Sequence, residues 1–205
     1  MSSLRHTDRP SGDPRVDAYL DAARACILDV GWRRTTLTEV ARRAGVSRMT
    51  IYRAWPDMGS LLGDLMTREW VGIAAATQAA AGDSTPENTT PGGIATAALS
   101  MVRALRDNEL FVRIVELDPD LMLPYLLHRR GRSQEALIES LAAGIAAGQE
   151  SGSVRTGDPV LMARSLTLAG HGFVFSALTM TDDRIGLDDL DDEYARLIAR
   201  TLEPQ

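Results

Sequence analysis

The sequence predicts an all-α fold of about nine helices, and three observations carry that expectation. Alanine fills 27 of the 205 positions while aromatic residues make up 5%, a composition that favours helix over half-buried strand. Apolar residues recur three and four apart along most of the chain, the spacing of one helical face. No segment alternates apolar and polar residues as a strand would, and no internal repeat is visible.

Residues 1–12 are expected to be a disordered tail. The opening stretch MSSLRHTDRPSGDP has no apolar core and does not read as a signal peptide. The first helix is expected over 13–30, from the spacing of Val16, Tyr19, Leu20, Ala23, Ile27 and Val30. Gly31 follows as its C-cap. A basic loop, Trp32-Arg33-Arg34-Thr35, leads into Thr36-Leu37-Thr38-Glu39. This is a capping-box pattern, in which the Thr36 hydroxyl accepts from the Glu39 amide and the Glu39 side chain reaches back.

The second helix is expected over 37–44, with Leu37, Val40, Ala41 and Ala44 on one face. Gly45-Val46-Ser47 makes a tight turn, in which Gly45 allows positive φ and Ser47 caps the next helix. The third helix runs from 48 to 54 or 55, and Pro56 stops it. Asp57 caps a fourth, whose mixed apolar face carries Leu61, Leu62, Leu65, Met66, Trp70 and Ile73.

Residues 82–93 (GDSTPENTTPGG) read as a flexible loop. Helical stretches are then expected near 94–107, 109–117, 120–149, 158–181 and 188–202. Asp118-Pro119, Gly152, Gly157-Asp158-Pro159 and Gly186 punctuate them. Either Pro124 or Gly131 can break or kink the 120–149 stretch.

The chain holds 22 basic residues against 28 acidic ones, a net charge of −6, and contains no lysine. The charge is uneven. Residues 1–56 carry ten arginines and six acids, and residues 57–205 carry twelve arginines and 22 acids. A small basic head therefore precedes a larger acidic body. A single cysteine excludes an internal disulfide framework and a zinc finger. No apolar run approaches the roughly 18–20 residues of a membrane span, so a soluble, cytoplasmic protein without membrane attachment is expected.

No G-x-S-x-G, H-E-x-x-H, Walker A or dinucleotide fingerprint is present, and neither a cofactor nor a metal site is expected. Glu116, Asp118 and Asp120 flank a proline and read as a helix boundary, with a small helical enzyme as the competing reading. The acidic run Asp182, Asp183, Asp188, Asp189, Asp191 and Asp192 lacks EF-hand spacing. His6, His128 and His171 are scattered. Cys26, beside Ile27, is either a small buried hydrophobe or a redox-sensing thiol.

The segments TLTEVARRAGVS and RMTIYRAW fit a helix-turn-helix. Ala41 lets the second helix pass close to the third, and Val46 and Ile51 bury beneath the pair. Arg48, Met49, Thr50, Tyr52 and Arg53 project outward, as in a helix that enters the major groove. The alternative is a plain helical hairpin at the surface.

Residues 16–66, and above all 36–61 (TLTEVARRAGVSRMTIYRAWPDMGSL), resemble the DNA-binding domain of the TetR family of transcriptional repressors. The resemblance implies a DNA-contacting set of Thr36, Thr38, Ser47, Arg48, Met49, Thr50, Tyr52 and Arg53. In it Thr50 and Tyr52 contact phosphates, Arg48 and Met49 read base edges, and Ser47 serves more as a cap than as a contact. Arg48 suits a guanine edge and Met49 a thymine methyl. Two positions depart from the family pattern. Met58 stands where a phosphate-gripping lysine opens the fourth helix, and Ala54 where a polar or aromatic recognition residue is common. Arg53, Arg33, Arg34, Arg42 and Arg43 are candidates to compensate.

Beyond the head the resemblance is architectural. It implies a DNA-binding domain over 13–57 and a ligand-binding and dimerisation domain over 58–205. Homodimerisation is expected through 158–181 and 188–202. An effector pocket is expected among Trp70, Met101, Leu105, Phe111, Met122, Tyr125, Leu126, His128, Met162 and Phe175, with Tyr125 and His128 as its polar handles. The implied function is a repressor that binds a (pseudo)palindromic double-stranded operator as a dimer and is released by a small, largely apolar effector that tilts the fourth helix. A helix-turn-helix adaptor without operator binding remains the alternative.

Overall fold

The computed structural model describes residues 13–81 and 89–204. The expected tail, and residues 82–88 of the expected loop, lie outside the described residues. Within them are nine helices of seven residues or more and one of five, with no strand.

The head is built from three helices, α1 (Pro14–Val30), α2 (Leu37–Arg43) and α3 (Arg48–Ala54). Each begins on a side chain the sequence supplies locally. Asp13 accepts from the Arg15 amide, Thr36 from the Glu39 amide and Ser47 from the Thr50 amide, satisfying donors that a helix start leaves unpaired. Only half of the expected capping box forms. The Glu39 carboxylate turns to Arg42 instead of the Thr36 amide, because an ion pair three residues away along an exposed face is within its reach. Gly45, at φ 68°, makes the turn between α2 and α3. In that left-handed region a Cβ would be strained.

The long helix α4 (Met58–Ala81) starts on Asp57, whose Oδ1 accepts from the Ser60 amide at 2.7 Å. Then come α5 (Pro91–Arg106), α6 (Glu109–Leu117), the short α7 (Leu123–Leu127), α8 (Arg132–Glu150), α9 (Pro159–Phe175) and α10 (Leu187–Leu202). The 120–149 stretch is divided rather than continuous. Pro124 sits in the first turn of α7, where its missing amide costs nothing, and the chain leaves helix from His128 to Gly131 before α8 begins. Helix α9 ends at Phe175, and a 3₁₀ turn over Ala177–Met180 completes the segment expected to run to 181.

Two apolar cores hold these helices. The first joins Leu20, Ile27, Val40, Ile51 and Trp55 of the head to Leu61 and Leu65 of α4 and to Leu110 and Ile114 of α6. The expected boundary at 57/58 thus falls at a helix cap, while the core of the head continues across it. The second core packs α5, α8, α9 and α10 through Val102, Ile145, Leu166, Tyr194 and Ile198. Asp191, 1% exposed, ties α10 to α5 by accepting from Arg103 and Arg106, each at 2.7 Å. A buried carboxylate held by two guanidiniums fixes register more than it adds stability.

Candidate functional site

The third helix divides cleanly into two faces. Ile51 and the following Trp55 are 0% and 1% exposed against the head core, whereas Met49 is 62% and Tyr52 47% exposed. Arg48 and Arg53 are exposed on the same outer side. Large apolar side chains on a seven-residue helix have no folding reason to face water beside arginines. Ser47 and Thr50 sit at the start of this helix with their hydroxyls 2.9 Å apart, so Ser47 acts as the cap the sequence implies. Thr36 is exposed and Thr38 half-buried at the start of α2. Hydroxyls and amides thus lie at the N-termini of α2 and α3, with the Arg48 guanidinium at the second, which suits phosphate.

Four head arginines, Arg33, Arg34, Arg42 and Arg43, make contacts within the chain. Arg42 pairs with Glu39 and holds that carboxyl below the usual carboxylate range, and Arg43 pairs with Asp29. The Arg34 Nε donates to the Val30 carbonyl at 2.7 Å. Arg33 reaches to the body, where its Nε lies 3.2 Å from Asp118 and its terminal nitrogen pairs with Asp120. Met58 is half-buried against the head core, so at the slot of the family's lysine the chain supplies packing. Burial pushes the Cys26 thiol up, partly offset by a hydrogen bond with Arg43, and disfavours the reactive thiolate.

In the body the structure separates the ten residues expected to line a pocket. Trp70, Phe111 and Phe175 form a series of ring contacts, with centroids 6.5 Å apart for Trp70–Phe111 and 5.5 Å for Phe111–Phe175. Leu105 is buried and Met101 half-buried on α5. Met122 instead packs against the first core, and Met162 lies in the second, where it accepts from the Gln149 amide. Tyr125, Leu126 and His128 are exposed on and after α7. Tyr125 folds over its own connection, stacked by Arg129 and close to Gly131.

Two residues outside the expected pocket set lie beside the aromatic series: Gln134, which the sequence does not single out, and His171, which it offers only as one of three scattered histidines. His171 meets Phe175 edge-on at 6.4 Å, and its Nε2 lies 3.3 Å from the Gln134 amide nitrogen. Burial pushes the His171 pKa down. No local pattern joins a glutamine and a histidine so far apart in sequence; only the packing of α8 on α9 does. Among the described residues no group of three or more His, Cys, Asp or Glu side chains could hold a metal ion, and no helix is long and apolar enough to cross a membrane.

Residues 20–65 match the family model for bacterial regulatory proteins of the tetR family. An HTH-type transcriptional regulator of Mycobacterium bovis is 36% identical over 158 residues, covering 77% of this chain and 79% of that one. The fold is similar to that of the fatty acid degradation regulator FadR from Bacillus halodurans, with a TM-score of 0.65 at 17% identity over 93% of this chain and 97% of that one. It is also similar to SmeT, the repressor of the Stenotrophomonas maltophilia multidrug efflux pump SmeDEF, with a TM-score of 0.61 at 18% identity over 92% and 90% of the two chains.

Proposed function

The chain belongs to the tetR family of bacterial regulatory proteins, and we propose that it is a cytoplasmic, ligand-responsive repressor that binds a (pseudo)palindromic operator as a homodimer. The observation that carries this reading is the outer face of α3, where Arg48, Met49 and Tyr52 are exposed over a fully buried inner face. Arg48 donates to a guanine edge, Met49 packs on a thymine methyl, and Thr36, Thr38, Thr50 and Tyr52 position the helix on phosphates. Ser47 shapes the helix start, and Arg53 adds charge nearby.

A single such helix reads one half-site, and a dimer sets two at roughly 34–36 Å, one turn of duplex. The surfaces of α9 and α10 support dimerisation there. Leu161, Leu168 and Leu197 are 62%, 72% and 53% exposed, and Leu178 and Met180 extend the patch along the 3₁₀ turn. An isologous interface would cover them.

The aromatic series between α4, α6 and α9 supports a small, largely apolar effector. Trp70 lies on α4, which also gives Leu61 and Leu65 to the head core, so a ligand that prefers one tilt of α4 shifts the head's DNA-binding geometry. Fluorescence anisotropy with the DNA upstream of the protein's own gene tests the reading. Binding that weakens with salt, together with an Arg48→Ala variant that loses preference at one base position in each half-site, is expected. No salt-sensitive binding to that DNA or to a selected palindrome would overturn it.

A further inference from the structure

We infer that the effector is a neutral molecule with a planar aromatic body and a hydroxyl or carbonyl group, seated along Trp70, Phe111 and Phe175 and read by the Gln134–His171 pair. The inference rests on the ligand-responsive reading above and adds the ligand's chemistry and the residues that recognise it.

The amide of Gln134 has its orientation fixed from one side. Its Oε1 accepts from the Gly131 backbone amide at 2.8 Å, so the atom facing His171 is the NH₂ group, a donor. The His171 Nε2, 3.3 Å away, must then accept, which places the ring proton on Nδ1 and makes the imidazole neutral. Burial, which disfavours the imidazolium, acts in the same direction. The pair thus presents the unused Gln134 hydrogen and the His171 Nδ1–H as donors, and the Gln134 Oε1 as an acceptor, at the end of a ring series.

None of Trp70, Phe111, Gln134, His171 and Phe175 carries a charge. Glu69, next to Trp70, is engaged by Arg24 and by the Asn108 amide. A charged ligand would be desolvated here with no counter-ion among these five side chains, whereas a ring with one neutral polar group loses little. Trp70, Gln134, His171 and Phe175 are half-buried while Phe111 is 5% exposed, so a ligand reaches the strip from solvent at the first four residues.

The same glutamine connects the strip to the head. By accepting from Gly131, Gln134 closes the first turn of α8, and Arg132 in that turn donates to Asp64 Oδ1 at 2.9 Å. The other oxygen of Asp64 accepts from the Trp55 indole at 2.9 Å, at the C-cap of α3. A ligand hydroxyl that donates to the Gln134 Oε1 competes with the Gly131 amide, and so acts on the helix end that holds Asp64 and the base of the recognition helix.

Calorimetric titration of the full chain with three probes of one ring size tests this: 2-naphthol, 2-naphthoate and 2-naphthylmethylammonium. The wild type is expected to prefer the neutral probe by about tenfold or more. His171→Phe keeps the ring against Phe175 and removes the nitrogen atoms. It is expected to weaken 2-naphthol about five- to tenfold, the value of one or two hydrogen bonds, and to leave the melting temperature and operator affinity unchanged. Gln134→Leu is expected to reproduce that loss independently. No binding of 2-naphthol, a preference for either charged probe, or unchanged 2-naphthol affinity in both variants overturns the inference. Operator binding measured in parallel without probe separates the two readings. Its absence alongside the expected probe selectivity would sink the repressor reading and leave this one standing.

Discussion

Replacing Asp118 by alanine should destabilise the chain far more than replacing Asp120, although both carboxylates hold the same arginine. Asp118 is 3% exposed, its Oδ2 accepts from the Trp32 backbone amide at 2.9 Å, and its Oδ1 meets the Arg33 Nε at 3.2 Å. In Asp118→Ala the Trp32 amide loses its acceptor in a part-buried position where water does not readily replace it, which costs about 1–3 kcal/mol. The Arg33 side chain is 67% exposed, so its share is screened and adds at most about 0.5 kcal/mol. For a chain of this size each kcal/mol corresponds to roughly 2–4 °C, which puts the drop in melting temperature between about 2 and 14 °C. Asp120 is 69% exposed and pairs only with Arg33; its loss should cost under about 1 kcal/mol. Urea and thermal unfolding followed by far-UV circular dichroism measure both, and Arg33→Ala should fall between the two, because Asp118 then still serves Trp32 but loses the guanidinium beside its buried carboxylate. If Asp118→Ala proves as mild as Asp120→Ala, the backbone hydrogen bond does not hold head to body as described.

Three further outcomes follow from the packing. Burial raises the Tyr194 pKa to about 12, so its contribution is complete below pH 10 and is lost as pH rises through the folded-state value, about 2–3 kcal/mol between pH 10 and 12. The chain has no lysine to titrate in that window, and Tyr194→Phe should flatten the dependence; an equal fall in that variant would assign it elsewhere. A Cβ on Gly148 would overlap the Thr89 carbonyl oxygen and the Val154 side chain, whereas one on Gly144 in the same helix meets nothing within 4 Å. Gly148→Ala should therefore cost about 1–3 kcal/mol or more in urea unfolding, and Gly144→Ala should stabilise by up to about 1 kcal/mol. Leu168→Arg should give a folded monomer by sedimentation, and a variant that still dimerises would remove α9 from the interface.

The head was legible because its signals are local. Thr36, Ser47 and Asp57 each cap a helix by accepting from an amide three residues downstream, and Gly45 stands where φ must be positive. The body was less legible for the opposite reason. Nothing near Arg33 in sequence indicates that Asp118 and Asp120 will meet it, yet this guanidinium, one of five candidates for phosphate contact, joins the head to the turn that follows α6. Pro124 and Gly131 can each break the 120–149 stretch, but a proline in a first turn and a glycine before one both permit helix, and only the fold chooses the gap at 128–131. Trp70, Phe111 and Phe175 stand among the residues that the family resemblance implies for a pocket, while Gln134 and His171 meet through the contact of α8 with α9 and carry no spacing of their own.

The central claim is that two copies of α3 read one operator together. Selection of duplexes from random DNA, followed by sedimentation of the full chain on the selected sequence and on versions with base pairs inserted between the half-sites, tests it most directly. The account predicts a palindrome with half-sites roughly 34–36 Å apart, bound by two chains, with affinity that falls steeply when about five base pairs (half a helical turn) are inserted. A single chain per selected duplex, or affinity indifferent to the insertion, would contradict it.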